Sequence, residues 1–421
     1  MKAGLRCGLS SMLAVLLLSC LAVAQNAVAD WDAIALNTIV SVAKKGPPTG
    51  TVYFAYESLA VYDAVNAIDG RYTPFAVPYK ASPNASKDAA AAAAAHDVLV
   101  HYFQAQKGDL DKALAASLAA IPDGPAKDEG VQVGQAVAAA WIAIRANDGI
   151  EAPIVYVPGH GPGIWEPVPP SFPPPVAPWM AQMVPFTLAS PSQFLPSDGP
   201  PPLNSEEWAF NYNLTKIFGA KNSSVRTPRQ TDIGLFWSDN TITQYSNSWR
   251  KLAAQQHLGT ADTARLFAIV DLAVADSLIA CFNAKYHFAF WRPVTAIRAG
   301  DTDGNLDTIA DPNWEPLAPT PGHPEYPAAH GCYTAAAMDV LAHFFGTDRV
   351  EYSVDSAVTH NAHSFHSFQD VVAEVDLARI FGGMHYLHSV LDGNNIGRKV
   401  ARHITRNYFL PAGHQVDENQ Q

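Results

Sequence analysis

The sequence predicts an all-α protein built from helical bundles, and three observations lead to that prediction. In the first third of the chain, apolar residues recur at helical spacing in four successive segments. Short turns such as Pro122-Asp-Gly-Pro125 separate these segments. No alternation of apolar and polar residues indicates a sheet there, and helices joined by short turns are typical of bundles.

Residues 1–29 are predicted to be a secretory signal peptide. Lys2 and Arg6 provide a basic start, and an apolar core and two small-residue cleavage sites follow, the second ending at Ala29. The apolar core is too short to span a membrane, and no later segment reaches about 18 uninterrupted apolar residues. We therefore expect a secreted or periplasmic protein without a stable membrane span.

Residues 30–150 are predicted to form an N-terminal helical part. Its helices are expected at residues 53–67, 89–103, 110–121 and 131–146, where apolar side chains follow a helical period. The chain of 421 residues is 48% hydrophobic and 16% charged, so it can bury a large core as one large domain or two ordinary ones.

Residues 151–204 are predicted to be an ordered, proline-rich connector. Half of the chain's 32 prolines lie between Pro153 and Pro202, a density that excludes a regular helix or a central strand. Aromatic residues such as Trp165 and Trp179 interrupt the prolines. Because disordered segments contain few aromatic residues, we favour an extended segment packed against a core over the alternative of disorder.

Residues 205–421 are predicted to form a C-terminal helical part that carries the chemistry. A long helix is expected at 261–288, and it should end near Trp291 because the residue before a proline disfavours the helical conformation. Another helix is expected to start near His330 and to end at Gly346, a typical C-cap residue.

The global charge limits the partners. The net charge is -12 and the isoelectric point is about 5.6, which argues against nucleic acid or an anionic membrane surface. Any anion site must therefore be a local pocket. The sequence leaves the oligomeric state open, and a homo-oligomer is compatible with it.

Three cations and two imidazoles are predicted to form such a pocket. Lys285 and Arg292 are seven residues apart, two helical turns, so both can project to one side at a helix end. A guanidinium fork suits two oxygens of a tetrahedral anion, and an ammonium adds a point charge. Exposure to solvent is the alternative for any single pair, but the flanking residues here are apolar and aromatic.

The two imidazoles occur at predicted breaks between helices. His330 is expected at a helix N-terminus, where free backbone N–H groups favour an anion and an imidazole can exchange protons with it. Gly382-Gly383 should break the helix between Arg379 and His385 and let backbone approach a ligand. His385 is then available as a metal ligand or a nucleophile.

Two further patterns have alternative interpretations. His360, His363 and His366 are spaced by three, so a metal site is conceivable, but a solvated helical face is favoured because no carboxylate or thiolate completes it. Cys281 and Cys332, the cysteines beyond the signal peptide, could form a disulfide or remain two buried thiols, and the thiols are favoured.

The motifs in combination resemble those of a known superfamily. Lys285-x6-Arg292-Pro, Pro327-Ala-Ala-His330 and Arg379-x5-His385 resemble the signature shared by type 2 phosphatidic acid phosphatases and vanadium-dependent haloperoxidases. The runs Phe290-Trp-Arg-Pro-Val-Thr-Ala-Ile297, Gly322-His-Pro-Glu-Tyr-Pro327 and Tyr62-Asp-Ala-Val-Asn-Ala-Ile68 are similar to those of secreted bacterial haloperoxidase-like proteins.

This resemblance implies a fold of two four-helix-bundle-like halves and a vanadate cofactor. It implies that His385 binds vanadium and that His330 is the acid–base residue. Lys285, Arg292 and Arg379 would neutralise the vanadate oxygens, and the backbone at Ala329 would contact them. Hydrogen peroxide and halide would be the substrates and hypohalite the product.

The resemblance also leaves functional alternatives. Phosphate could occupy the same site, which would make the protein an acid phosphatase with a phosphohistidine intermediate on His385. Because Ala328-Ala329 replaces the usual Ser-Gly, a catalytically silent oxyanion-binding protein is a further alternative. Ser389 stands where the phosphatases have an aspartate, which counts against phosphatase chemistry. His323 and Trp291 are the candidates for the halide pocket, and His323 favours bromide or iodide.

Overall fold

The computed structural model describes residues 26–413 and confirms the all-α prediction. The signal-peptide prediction falls almost entirely outside this range. Five helices form the N-terminal part: α1 (Ala27–Leu36), α2 (Pro47–Asp69), α3 (Lys87–Tyr102), α4 (Lys107–Ala119) and α5 (Pro125–Arg145). Eight more follow: α6 (Glu206–Gly219), α7 (Pro228–Phe236), α8 (Thr241–Gln255), α9 (Thr260–Phe288), α10 (Pro293–Arg298), α11 (Ala329–Phe345), α12 (Phe368–Phe381) and α13 (Leu387–Asn407).

Local signals explain where these helices begin and end. Pro47 and Pro125 occupy first helical positions, where the missing N–H of proline costs nothing. The Ser86 side chain accepts a hydrogen bond from the N–H of Ala89 at the start of α3. Gly70 and Gly346 end α2 and α11 in the left-handed conformation, as predicted for Gly346.

Helix α9 lies at the centre and takes part in both bundles. On one side α2, α3 and α5 pack together, and α2 packs along α9. On the other side α11, α12 and α13 pack together, and α11 and α13 contact α9. The two bundle-like halves therefore share α9 and one continuous hydrophobic core.

The length and apolar character of α9 follow from this central position. Its 29 residues are apolar enough to cross a membrane, but 94% of its most apolar stretch is buried by the rest of the protein. A central helix that is covered on all sides needs no polar face. The composition of α9 is thus explained by the core.

The proline-rich connector is an ordered segment packed on the bundles, as predicted. Trp165 is fully buried and Trp179 is nearly so. The carboxylate of Asp276 on α9 accepts hydrogen bonds from the backbone N–H groups of Phe186 (2.7 Å) and Thr187 (2.8 Å). A buried side chain of the central helix thereby satisfies two backbone N–H groups of the connector.

Replacing Asp276 with alanine should destabilise the protein by roughly 2–4 kcal/mol, because two buried N–H donors would lose their acceptor. The free energy of unfolding is measured by urea denaturation. Asp198→Ala is the matched control, because Asp198 is an exposed carboxylate of the same connector. Equal stability of the two variants would contradict the role of Asp276.

A β-hairpin interrupts the helices between α11 and α12. Strand β1 (Tyr352–Ser356) pairs antiparallel with β2 (Asn361–Phe365). The predicted helical face around His360, His363 and His366 is therefore wrong. In β1 every second side chain is buried, beginning with Tyr352, and this short alternation favours a strand.

His363 joins the hairpin to the helices. Its Nδ1 lies 2.5 Å from Glu374 Oε1 and its Nε2 lies 2.9 Å from Asp232 Oδ2, and its ring stacks on Phe236. Across residues 26–413, no group of three or more His, Cys, Asp or Glu side chains could hold a metal ion. His363 therefore serves packing and hydrogen bonding between the hairpin and the helices, with two carboxylates as its partners.

Candidate active site

A cavity of about 400 Å³ lies where α9, α11 and the turn after α12 meet. His330, Arg379 and His385, which we call the polar lining, come from two separate stretches of the sequence. Most of the remaining wall is apolar. The structure thus brings two of the predicted imidazoles and one of the predicted cations to a single cavity.

Arg292 reaches this region from beyond the end of a helix. Helix α9 ends at Phe288, the last residue of the predicted range and three residues before Trp291, because Ala289 adopts a left-handed conformation with φ 48°. Arg292 then lies in extended backbone as the N-cap of α10. The expectation that Lys285 and Arg292 lie two turns apart on one helix is therefore wrong, although the two side chains do converge.

Lys285 uses its ammonium group within the protein. Its Nζ donates to the carbonyl oxygens of Pro324 (2.9 Å), Glu325 (2.9 Å) and Pro327 (2.5 Å). An ammonium has three N–H donors, so all of them are engaged. In this arrangement Lys285 fixes the 324–327 loop and adds positive charge behind the cavity. Its direct contact with an anion stays a prediction.

Arg292 connects the two imidazoles that line the cavity near it. Its Nε donates to the carbonyl of His323 (2.9 Å), and its Nη2 lies 3.0 Å from His323 Nδ1. Its Nη1 donates to the carbonyl of Met384 (3.0 Å) and lies 3.1 Å from His385 Nε2. Four of the five guanidinium N–H groups are therefore engaged, and one is left for a ligand.

Arg379 has the donors best suited to an anion. Its Nη1 donates to the carbonyl of Trp237 (2.9 Å) and its Nη2 contacts Met384 Sδ (2.9 Å). Its Nε is buried without a hydrogen-bond partner among the residues that the structure describes. A buried donor without a partner is costly, and an oxyanion in the cavity would satisfy it.

His330 stands in the first turn of α11, as predicted. Ala328 is the N-cap residue and provides no side-chain cap, so the first N–H groups of the helix, that of Ala329 among them, remain available to an anion. His330 Nε2 lies 3.2 Å from Thr241 Oγ1. Thr241 is the first residue of α8, and its contact fixes the ring of His330, the predicted acid–base residue. The sequence did not indicate this role of Thr241.

The structure accounts for Ala328, the residue that replaces the usual serine. Its methyl group is fully buried in a small apolar cluster with Ile380 and Val390. A methyl group suits this environment better than a hydroxyl without a partner. Alanine at position 328 thus lacks the hydroxyl that a serine could direct at the anion, but its methyl group contributes to hydrophobic packing.

Glu325 is the main functional residue that the sequence did not reveal. Its Oε1 accepts hydrogen bonds from His385 Nδ1 (2.8 Å) and from the Tyr386 N–H (3.1 Å), and its Oε2 accepts one from Ser389 Oγ (2.6 Å). Glu325 is fully buried. Because the carboxylate binds the Nδ1 proton, the Nε2 lone pair of His385 faces Arg292 and the cavity.

Replacing Glu325 with glutamine should lower both oxyanion affinity and turnover by roughly 10–100-fold, the usual effect of losing the partner that orients a ligating histidine. The Nδ1 proton would face a neutral amide, so the tautomer of His385 should change, which ¹⁵N NMR of the imidazole reports. Ser389→Ala is the matched control, because it removes a hydrogen bond from the other carboxylate oxygen. An unchanged tautomer in Glu325→Gln would contradict the positioning role.

Burial and mutual repulsion shift the pKa values of the site. Burial lowers the pKa of Lys285 to about 8 and that of Arg292 to about 10. Burial, reinforced by Arg292, lowers the pKa of Arg379 to about 9. Burial and these cations hold the pKa of His385 well below its ordinary value. The neutral imidazole and the excess of positive charge both favour an anionic ligand.

The neutral state of His385 predicts a pH dependence of stability. In the unfolded chain its imidazole would bind a proton below a pH of about 6.5. The folded state binds this proton less well, so the contribution of His385 to stability should decrease by up to about 2 kcal/mol between pH 7 and pH 5. Urea denaturation of wild type and His385→Gln at both pH values isolates the contribution of this imidazole. A stability difference independent of pH would contradict it.

The predicted halide pocket is only partly assembled. His323 lines the cavity, and Arg292 contacts its ring and its carbonyl. Trp291 lies elsewhere: its indole is buried and stacks on Trp208, with ring centroids 5.9 Å apart. Successive residues of the extended chain point in opposite directions, so the placement of Arg292 at the site turns Trp291 into a separate aromatic cluster.

The structure also answers the predictions for the glycine pair after α12 and for the two cysteines. Gly382-Gly383 ends α12 as expected, but Gly383 serves contact with the protein and not with a ligand. A Cβ at Gly383 would lie 2.5 Å from the Gly219 carbonyl oxygen. Cys281 and Cys332 are buried free thiols and do not form a disulfide.

The part of the chain that contains His330, Arg379 and His385 is similar to known proteins. Residues 265–409 match the family profile of the VCPO second helical-bundle domain. A stretch of 152 residues is 33% identical to vanadium chloroperoxidase from Curvularia inaequalis. Residues 265–409 are thus similar to a vanadium-haloperoxidase bundle domain. The stretch shared with the Curvularia enzyme covers 30% of this chain and 24% of that enzyme, so the chain matches about a quarter of its relative.

The fold around the vanadium-haloperoxidase bundle domain is shared with solved structures. A bacterial vanadium-dependent iodoperoxidase superposes with a TM-score of 0.74 at 24% identity, covering 92% of this chain and 97% of that one. A bacterial vanadium-dependent chloroperoxidase gives a TM-score of 0.69 at 18% identity, covering 86% and 92%. The resemblance seen in the motifs is confirmed for the bundle domain, and the fold for nearly the whole chain.

Proposed function

We propose that the protein is a vanadate-dependent haloperoxidase that oxidises halide with hydrogen peroxide to hypohalite. One observation carries the proposal. Arg379, whose buried Nε–H has no partner among the described residues, lines the same cavity as a neutral His385. A tetrahedral oxyanion needs this combination of donors and ligand. The family of the bundle domain supports vanadate as that oxyanion.

The residues present fit vanadate. His385 would bind vanadate through Nε2, in place of the Arg292 Nη1–H that this nitrogen faces in the structure. Arg379, Arg292 and the N–H groups at the start of α11 would donate hydrogen bonds to the vanadate oxygens. Lys285 would act through its charge. When bound, vanadate supplies a Lewis-acidic centre that activates peroxide without a change of oxidation state. His330, held by Thr241, would accept a proton from peroxide and return it to the departing oxygen.

Bromide or iodide is proposed as the preferred halide, and the secreted or periplasmic space as the location. The halide preference is supported by His323, a cavity-lining imidazole beside Arg292. The location is supported by the basic and apolar pattern of residues 1–29. Relative rates with iodide, bromide and chloride, and the N-terminal sequence of the exported protein, test these two statements.

The deciding experiment measures halogenation of a 1,3-diketone such as monochlorodimedone. Peroxide, halide and vanadate are each omitted in turn from the assay of the apoprotein. We expect activity only when all three are present. Full activity without vanadate, after treatment with a chelator, would refute the proposal. Tight binding of vanadate without any turnover would identify a silent oxyanion-binding protein instead.

Phosphatase activity is a second candidate because of Glu325. The sequence argued against it, since Ser389 replaces the aspartate that orients the nucleophilic histidine. In the structure Ser389 donates to Glu325, and Glu325 occupies the orienting role on His385 Nδ1. Hydrolysis of an aryl phosphate, inhibited by vanadate and abolished in His385→Ala, would support this candidate.

A further inference from the structure

Helix α6 exposes apolar side chains at positions where a surface helix usually carries polar ones. Its exposed residues are Glu206, Glu207, Phe210 and Ile217. Phe210 keeps 59% of its surface accessible and Ile217 keeps 49%. The two are seven residues apart, two helical turns, so they lie on one face of the helix. A surface helix usually turns its apolar stripe to the core and its charged residues to solvent, so this second apolar stripe needs an explanation.

The loop beside α6 adds two exposed apolar residues to this surface. Asn213 and Lys216 of α6 donate hydrogen bonds to the carbonyl oxygens of Asp307 (2.8 Å) and Ile309 (2.6 Å), which fixes the loop along the helix. Leu306 and Ile309 of this loop are both exposed. Single exposed apolar residues are common on any protein, whereas several on one part of the surface are typical of a protein–protein contact.

On its other side α6 borders α12 and α13, and these helices add two exposed leucines. Leu214 of α6 and Leu387 of α13 pack on a small buried cluster that includes Ile380 of α12. Leu391 follows Leu387 by one turn, and Leu377 precedes Ile380 by one turn. Each of these two leucines is about half exposed. Helix α6 is therefore the centre of an apolar surface that extends to both of its sides.

The charges around α6 favour a second copy of this chain as the partner. Exposed Glu206 lies in the first turn of α6, and exposed Lys221 follows the end of the helix. Phe210 and Ile217 lie between them, and both pairs have the same midpoint in the sequence. An antiparallel pair of α6 helices would thus join opposite charges at both ends and apolar side chains in the middle. A twofold interface needs such a self-complementary surface. Because the net charge is -12, two copies would repel one another at a surface of less balanced charge.

We propose that the protein forms a twofold-symmetric dimer through α6, with the α6 helices of the two subunits antiparallel. Phe210 packs against Ile217 of the partner subunit, and Glu206 pairs with Lys221 of the partner subunit. Lys221 also lies 2.9 Å from Glu315 of its own chain. That exposed pair contributes little, and an ammonium has three N–H donors, so Lys221 can bind a second carboxylate. The inference does not depend on the haloperoxidase function.

The opposite face of α6 supports the candidate active site. Thr215 Oγ1 donates to the carbonyl oxygen of His385 (3.1 Å), and Asn211 Oδ1 accepts a hydrogen bond from the His388 N–H (2.9 Å). None of the cavity-lining residues that the structure describes belongs to α6. The dimer would therefore use a face of the helix that the cavity does not use, and it would hold in place the helix that supports the backbone of His385.

Sedimentation velocity of the purified protein over a series of concentrations tests the dimer. We expect the mass of two chains above about 10 μM, and a wild type that stays monomeric at about 100 μM would overturn the proposal. Phe210→Glu places a charge in the apolar centre and should raise the dissociation constant by about 30-fold or more, the effect of losing a dominant interface residue. Val157→Glu, at a largely exposed apolar position of the connector, is the matched control and should dimerise as wild type. Equal dissociation constants for Phe210→Glu and wild type would also overturn the proposal.

Charge reversal and cross-linking test the antiparallel arrangement. Glu206→Lys should weaken the dimer, because it would face Lys221 of the partner subunit, and adding Lys221→Glu should restore it. A residue beside a twofold axis meets its own copy, so a short bismaleimide should join two chains of Asn213→Cys. Wild type gives the background, because Cys281 and Cys332 are buried. A dimer that the double charge reversal does not restore, and that Asn213→Cys does not cross-link, would refute this interface. The wild-type mass does not depend on the folding of any variant.

Discussion

His385→Ala should lower vanadate-dependent halogenation by at least about 10³-fold, because it removes the imidazole that would bind the oxyanion and so the activation that the bound oxyanion provides. Glu325 would lose its Nδ1–H donor at the same time. The rate is measured with saturating peroxide and bromide over a series of vanadate concentrations. Added vanadate should not restore it.

His388→Ala is the matched control for His385→Ala. It removes a second histidine only three residues further along, which contacts Glu207 and Asp392 outside the cavity. Its halogenation rate should stay within about twofold of wild type. Circular dichroism and urea denaturation establish that both variants are folded. Retention of halogenation or of phosphatase activity by folded His385→Ala would refute the assigned site.

Arg379→Met should separate anion binding from stability. It replaces a buried cation with an apolar side chain of similar volume, and the affinity for vanadate or phosphate should fall by roughly 30–1,000-fold, the usual effect of removing one partner of a buried charged pair. Titration calorimetry with phosphate and orthovanadate measures this loss. Without an anion the variant should be at least as stable as wild type, because burial and Arg292 already disfavour the charged guanidinium.

The control for Arg379→Met is Arg398→Met, which removes the same charge from the surface of α13. Its anion affinity should be close to that of wild type. A loss of anion affinity in both variants would indicate a general effect of net charge. A strong loss of stability in Arg379→Met without anion would show that Arg379 serves the core and not the ligand.

The helices could be predicted from sequence because their signals are local. The residues that start and end α2 and α11, such as Pro47 and Gly346, act within one turn of their own helix. The cationic and imidazole motifs were also visible because each is short. Their order along the chain, with Arg379 and His385 last, was specific enough to indicate the family.

The remaining features depend on contacts between distant residues. Glu325 and His385 are 60 positions apart, so neither residue indicates the other in the sequence. Arg292 reaches the site through a left-handed Ala289, a conformation that alanine rarely adopts and that no propensity predicts. The donors of Lys285 are used by a loop about 40 residues away. Tertiary contacts determine these three features.

The wall of the cavity contains prolines from two distant parts of the chain. Pro47 and Pro48 belong to the start of α2, and Pro319 and Pro321 precede the 324–327 loop. Proline fixes one backbone dihedral, so this part of the wall is stiff. A stiff wall keeps the width of the cavity nearly constant during turnover. The entry of peroxide and the departure of product should then slow in proportion to solvent viscosity, as diffusion into a permanent cavity does.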